Sequence, residues 1–463
     1  MRKLLTALLI FTFLLVIILS GAAVAGYFYL KSDGFKTKVE ETVSQNTTTP
    51  VTINSLGISL SGITMQGLEI PNDEPLSDNF LATREFELKL KWMSLLEEMP
   101  AIDAIRIGAP ALILHQSAAG GMHLPLKDAG DGTGGQSTST GIDLLLKELK
   151  IEEGRFQAYD PEGAQLLVID GFNLSGDVRR ISGDWKLASS LSTQSIVAGP
   201  YITVKDASSP LTMDKKIVSL PELYGTFYQG SLDGMSQVDL NPDDPTFSFA
   251  LKGVGSDMDK MMQSFGKEAG FMQGSLNFEL SGNGNASAPK NLSGKGNFSI
   301  APAKMPKLQA ARILGSILGI KLMQDGTFEQ VKGTFTLNDQ VVDFSQLEVI
   351  SENVSVKLTG TVGFDTQLNL QGNIILEPGA TDVFSKLFGQ TADEIRSEVR
   401  EVPLTITGLS SKPDVKVNTV QVGLDAGKSL LNRFLFNQDE SEENPTDEPV
   451  EQVDSIIKGL FGN

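Results

Sequence analysis

Apolar and polar residues alternate with period two over much of this chain, most clearly between Gly326 and Leu376. Val354, Val356, Leu358, Val362 and Phe364 share one parity, while Ser355, Lys357, Thr359 and Thr361 share the other. Leu368, Leu370, Ile374 and Leu376 repeat the pattern beyond a Phe-Asp turn signal. Successive side chains of a strand point to opposite faces, so each segment reads as a strand with one greasy and one wet face. Asn-Asp and Glu-Asn pairs separate the segments, which together predict a meander of antiparallel strands. Upstream, Phe86, Leu88 and Leu90 alternate with Glu85, Glu87, Lys89 and Lys91 in the same way. Further short strands are predicted over 166–172, 185–191, 202–204, 217–220, 225–232 and 247–251, with Pro200, Pro210, Pro221, Pro242 and Pro245 at the connections.

Helical spacing interrupts the alternation. Met258, Met261, Met262 and Phe265 form an i, i+3, i+4, i+7 stripe that predicts a helix over Asp257–Lys267. A second helix over Leu308–Met323 carries Ile313, Leu314, Ile317 and Leu318 with Arg312 and Lys321 as its charges. It is too short to span a bilayer; it closes an end of the sheet, or acts as a lid or membrane-dipping segment. A third helical piece begins at Val383 and runs through Val399.

The two ends of the chain differ from this body. Leu4 to Leu30 holds no charge and is long enough to cross a membrane as a helix, with Arg2 and Lys3 on the cytoplasmic side. Ala23-Val24-Ala25 offers a signal-cleavage alternative, but the apolar run exceeds a usual signal core, which favours an uncleaved anchor. At the other end, 437–452 carries seven acids and no base and reads as a disordered linker. Val453, Ile456, Ile457, Leu460 and Phe461 then stripe a last amphipathic helix, suited to docking on its own domain or on a partner.

Composition narrows the chemistry. The 463 residues include no cysteine and two histidines, so thiol chemistry is excluded and a histidine-based triad or zinc site has little to draw on. His115 and His123 read as surface histidines. A formal charge of -19 disfavours nucleic acid as a partner. No phosphate-binding loop, dinucleotide fingerprint or nucleophile elbow occurs, so no catalytic residue, metal or cofactor is expected and the chain reads as a non-enzyme.

Three blocks resemble the AsmA family of envelope proteins. Ile105-Arg106-Ile107-Gly108-Ala109-Pro110-Ala111-Leu112-Ile113-Leu114 matches its "I-x-I-x-x-P-x-L-x-L" strand, after a charged strand and a Leu-Leu turn. Leu149 to Phe156 is similar to its recurring "L-x-I-x-x-G-x-F" element. Val402-Pro403-Leu404-Thr405-Ile406-Thr407-Gly408, followed by Pro413 and Val415, resembles its terminal signature, with Leu409 where that pattern has threonine. The resemblance covers roughly residues 1 to 418 as ordered blocks. It implies a mainly β fold: an elongated antiparallel sheet curled into a groove, with a few amphipathic helices and one N-terminal transmembrane helix.

The expected organisation is an anchor (1–31), an N-terminal β region (50–127), a Gly/Ser/Thr linker (128–140), a middle β region (141–255) and a C-terminal β region with helical insertions (256–418). A short amphipathic helix (424–436), the acidic linker (437–452) and the terminal helix (453–463) follow. The resemblance implies an inner-membrane protein with its bulk in the periplasm, acting in outer-membrane assembly or lipid homeostasis. Phospholipid acyl chains would lie on Val354, Val356, Leu358, Val362, Phe364, Leu368, Leu370 and Ile374. The alternative is a scaffold for outer-membrane or periplasmic assembly proteins, its greasy face sealed as a core.

Overall fold

The computed structural model describes residues 33–417 apart from positions 60, 74–75, 91–100, 118–121, 126, 128–143, 182–183, 200–201, 243, 286–291, 319, 378–379 and 381–399. The expected anchor, the linker at 128–140, the turn at Trp92–Leu96, the helix from Val383 and the tail segments from 424 onward lie outside the described residues. Among the described residues no helix is long and apolar enough to cross a membrane. The fold is mainly β, as the alternation predicts, and its strands group into two compact units.

The first unit comprises the described residues up to Gly225 together with Met235–Phe247. Helix α1 (Asp33–Ser44) leads into β1 (Thr52–Ser59), β2 (Gly62–Pro71) and β3 (Asn79–Leu90), which are antiparallel neighbours. Strands β4 (Ala101–Gly108) and β5 (Ala111–Gln116) follow one another around Ala109-Pro110, and the two-residue β6 (Met122–His123) folds back on β5. Both β4 and β5 pair in parallel with the long β7 (Leu144–Tyr159). This departs from the purely antiparallel expectation. A parallel pair needs a crossover between distant segments, and local alternation does not encode one. Antiparallel pairing resumes through β8 (Gln165–Ile181), β9 (Asp184–Ala198) and β10 (Ile202–Asp214), followed by β11 (Ile217–Phe227). Pro210 and Pro221 lie inside β10 and β11 rather than at connections; Pro210 keeps its register opposite Ser190, since a missing N–H interrupts the ladder on one side only.

Helix α1 was not legible as a helix in the sequence, yet it anchors one core of this unit. Phe35, Val39 and Val43 recur every four residues and bury one face against Ile53, Leu68, Phe86 and Leu88. Its polar side chains also close the edge of β1. The Glu40 carboxylate accepts the Ile53 N–H at 2.8 Å and Ser44 Oγ accepts the Val51 N–H at 2.9 Å. An open edge invites pairing with another chain, and α1 blunts it with side-chain acceptors.

Strand β11, β12 (Gly230–Asp239) and β13 (Thr246–Asp257) each contain a boundary between the units. The second unit comprises Thr226–Gly234 and the described residues from Ser248 onward. Helix α2 (Met258–Ser264) is capped by the Asp257 carboxylate, which accepts from the N–H groups of Asp259 and Lys260. Then come β14 (Gln273–Asn285) and β15 (Ser293–Lys304), α3 (Gln309–Leu318) and α4 (Lys321–Gln324), and the short β16 (Thr327–Phe328). The predicted single helix over Leu308–Met323 is therefore two, separated at Ile320, whose backbone is extended (φ -90°, ψ 107°). Strands β17 (Gln330–Asn338), β18 (Val341–Ser351), β19 (Val354–Gly363) and β20 (Gln367–Leu376) form the antiparallel meander the sequence predicts, and β21 (Arg400–Leu409) and β22 (Lys412–Val417) extend it with the same antiparallel pairing.

Candidate functional site

Strand registers in the second unit align the apolar positions into rows that cross many strands. One row reads Leu276, Ile300, Val331, Val349, Val356, Ile374, Val402. The next reads Phe278, Phe298, Gly333, Leu347, Leu358, Gly372, Leu404, Val417, and a third Leu280, Gly296, Phe335, Phe344, Gly360, Leu370, Ile406, Val415. A fourth joins Leu337, Val342, Val362 and Leu368 near the hairpin tips. No charged side chain belongs to these rows. Charges occupy the other parity, where Glu348 takes Lys332 at 2.9 Å and Lys357 at 3.8 Å across three neighbouring strands.

Burial along this face is graded. Val354, Val356, Leu358, Leu370 and Ile374 are buried in one cluster with Leu314 and Leu318 of α3 and Met323 of α4. Ile313 and Ile317 are half-buried and pack on the same cluster. The α3–α4 pair is thus a cover over one end of the face: Leu318 is 0% and Val356 1% exposed. Gly315 permits the close approach of the two helices, since a Cβ there would meet Gln324 N at 2.5 Å. Toward the hairpin tips the cover ends, and Leu280, Phe335, Phe344, Leu337, Val342, Val362 and Leu368 are half-buried. Phe364 sits half-buried in the β19–β20 turn, outside the strand that its parity suggested. The predicted groove residues therefore divide into a sealed set and an uncovered set.

Phenylalanines on this face lie across glycines of the neighbouring strand. A Cβ on Gly333 would stand 2.7 Å from the Phe298 ring, and one on Gly253 2.1 Å from the Phe278 ring. Phe298, Phe335 and Phe344 meet edge-on or tilted at 6.0–6.5 Å between centroids. Each ring occupies the space that a side chain at the glycine would need. An open hollow of ≈ 480 Å³ has both pairs in its walls, and it shares Lys252, Glu279, Asn297 and Thr334 with a second hollow of ≈ 580 Å³. Lys252 and Glu279 pair at 2.8 Å, and this pairing, with the Asn297 hydrogen bond to the carboxylate, holds Glu279 below its ordinary value.

The first unit repeats the design. Registers across β7–β10 set Ile151, Leu174, Leu191 and Ser209 in one row, and Leu146, Val178, Leu187 and Met213 in another. Leu174, Val178, Leu187, Leu191, Ile196 and Val204 are all half-buried, and β9 alternates exposed and half-buried positions from Asp184 to Ser192. The row nearest the β8–β9 turn joins Leu144, Arg180 and Trp185, which puts an arginine beside the apolar rows of Val178 and Leu174. Nothing in the alternation marked Arg180, because Arg179 and Arg180 look equivalent until the register is fixed.

The two histidines, expected at the surface, are partly exposed and paired. His115 and His123 face each other across β5–β6, and each meets an aspartate of the β2–β3 connection: His115 Nε2 lies 2.8 Å from Asp78 and His123 Nε2 3.1 Å from Asp73. Burial would raise the Asp78 carboxyl, but hydrogen bonds from His115 and Asn72 outweigh it and hold the group below its ordinary value. Among the described residues no three carboxylates or histidines converge to hold a metal ion. The docking stripe of Val453, Ile456, Ile457, Leu460 and Phe461 lies outside the described residues.

No protein-family model, no curated protein and no solved structure matches this chain.

Proposed function

We propose that this chain is an envelope protein that holds phospholipid acyl chains on an apolar β face, without a catalytic step. In this reading Leu4–Leu30 anchors it in the inner membrane, the bulk lies in the periplasm, and the sheet curls into a groove, as the resemblance to the AsmA family implies. The observation that carries the reading is the half-buried apolar surface of each unit, which runs over several strands and, in the rows of the second unit, holds no charged side chain. Such a surface in contact with water is costly, and each methylene it buries contributes about 0.8 kcal/mol. A single acyl chain therefore binds firmly yet reversibly, as conduction of lipid for outer-membrane assembly or lipid homeostasis requires.

The test is transfer of fluorescent phospholipid between vesicles by the full chain. Val362→Asp and Leu368→Glu place charges in the uncovered rows and should slow transfer by more than tenfold without unfolding the protein. Unchanged transfer in both variants sinks the reading.

A scaffold role is the second reading, favoured by the sealed cluster of Val354, Val356 and Leu358 beneath α3 and α4. There the stripe from Val453 to Phe461 would carry partner binding. Deleting residues 437–463 would abolish function and leave bound lipid unchanged.

A further inference from the structure

We propose that Arg180, laid against Trp185, recognises the phosphate of a phospholipid whose acyl chains lie along the uncovered apolar face of the first unit. This rests on the acyl-binding reading above and adds a headgroup to it. Arg180 shares its parity with Leu174 and Val178, so its side chain rises from the apolar face rather than the charged one. Its guanidinium stands 5.6 Å from the centre of the Trp185 ring. The neighbouring cations are on the opposite parity and are neutralised there: Arg179 by Asp177 at 3.0 Å, and Lys186 by Asp214 at 3.2 Å. Arg180 has no acidic partner among the described residues, and its Nε is buried without a hydrogen bond.

A charge on an apolar surface with an unsatisfied donor is costly, and an anion that accepts from it relieves that cost. The tryptophan face orients the guanidinium without cancelling its charge. Five N–H donors in a planar fork match phosphate oxygens bidentately. Position supports the same ligand. Arg180 sits next to the β8–β9 turn, while the apolar rows of Val178 and Leu174 lead away from it along the strands. A lipid placed with its phosphate at Arg180 keeps its headgroup at the strand ends and its chains on the greasy surface. Lys215 and Lys216 are exposed at the β10–β11 turn, two residues beyond Met213, which pairs with Leu187; Asp184 is the exposed acid of the β8–β9 turn.

The experiment compares dioleoylphosphatidylglycerol with dioleoylglycerol, which has the same chains and no phosphate, binding to the full chain in one neutral detergent. The wild type should prefer the phospholipid by about tenfold, the factor that about 1.4 kcal/mol represents. Arg180→Gln should remove that preference and leave dioleoylglycerol binding unchanged, and Arg180→Lys should fall between. Equal binding of both lipids by the wild type, or an undiminished preference in Arg180→Gln, overturns the assignment while acyl binding stands. Binding of neither lipid overturns both. Competition by millimolar inorganic phosphate as strong as that by the lipid marks a free-anion site and also overturns it. If Arg180→Gln fails to fold, the lysine variant decides: a preference fully equal to wild type contradicts recognition by a guanidinium fork.

Discussion

At the scale of residues, the graded burial of one apolar face separates positions that sequence parity treats as equals. Val356 and Val362 both point to the greasy side of β19, but Val356 is 1% exposed and Val362 is half-buried. An aspartate at Val356 is an unpaired buried charge, and Val356→Asp should unfold the second unit or cost at least about 3 kcal/mol in denaturant melts. Val362→Asp meets water and should cost less than about 1 kcal/mol while it reduces lipid binding. Similar stability losses in the two variants would contradict the division into sealed and uncovered sets. A second residue-scale prediction concerns acid. The folded-state carboxyl of Asp78 lies below its ordinary value of 3.8, so it contributes stability above that pH and loses it as pH falls through the depressed value. Asp78→Asn should therefore flatten the loss of thermal stability below pH 4; an unchanged acid limb would show that the pair with His115 is not coupled to folding. Parity in the sequence made the apolar face legible. It could not reveal which positions are covered, that Arg180 belongs to that face, or that the two histidines meet aspartates, because each depends on contacts between distant segments.

At the scale of elements, the α3–α4 excursion is the cover that decides what the sheet can bind. It leaves the sheet after Lys304 and returns at Thr327, and these two residues pair in register at its base. Leu314 and Leu318 seat it on the strands, so Leu318→Ala should cost about 2–5 kcal/mol in the unfolding of this unit. A loss below 1 kcal/mol in urea melts would mean that α3 rests loosely on the face, as a lid would. The apolar helix was legible in the sequence; its division at Ile320 was not, since tertiary packing of Met323 against α3 sets the turn. Helix α1 was missed because β-branched Thr37, Val39, Thr42 and Val43 lower helix propensity, and packing of Phe35, Val39 and Val43 overrides that preference. The tandem parallel pairing of β4 and β5 with β7 was also hidden, for pairing partners are a property of topology and not of local pattern.

At the scale of the whole molecule, two units with apolar strand faces only partly covered by helices fit a protein whose core is completed by a ligand. The charged parity stays soluble through cross-strand ion pairs such as Lys332 with Glu348, and the uncharged parity needs apolar company. Phospholipid supplies it in this account; a partner protein supplies it in the scaffold reading. The direct measurement is quantitative mass spectrometry of lipid retained by the full chain after purification in mild detergent, against a single-pass membrane protein handled identically. Phospholipid is expected at or above one molecule per chain, reduced severalfold in a Val362→Asp, Leu368→Glu double variant that still unfolds cooperatively. Lipid at the level of the control, in a folded wild-type protein, would contradict that expectation.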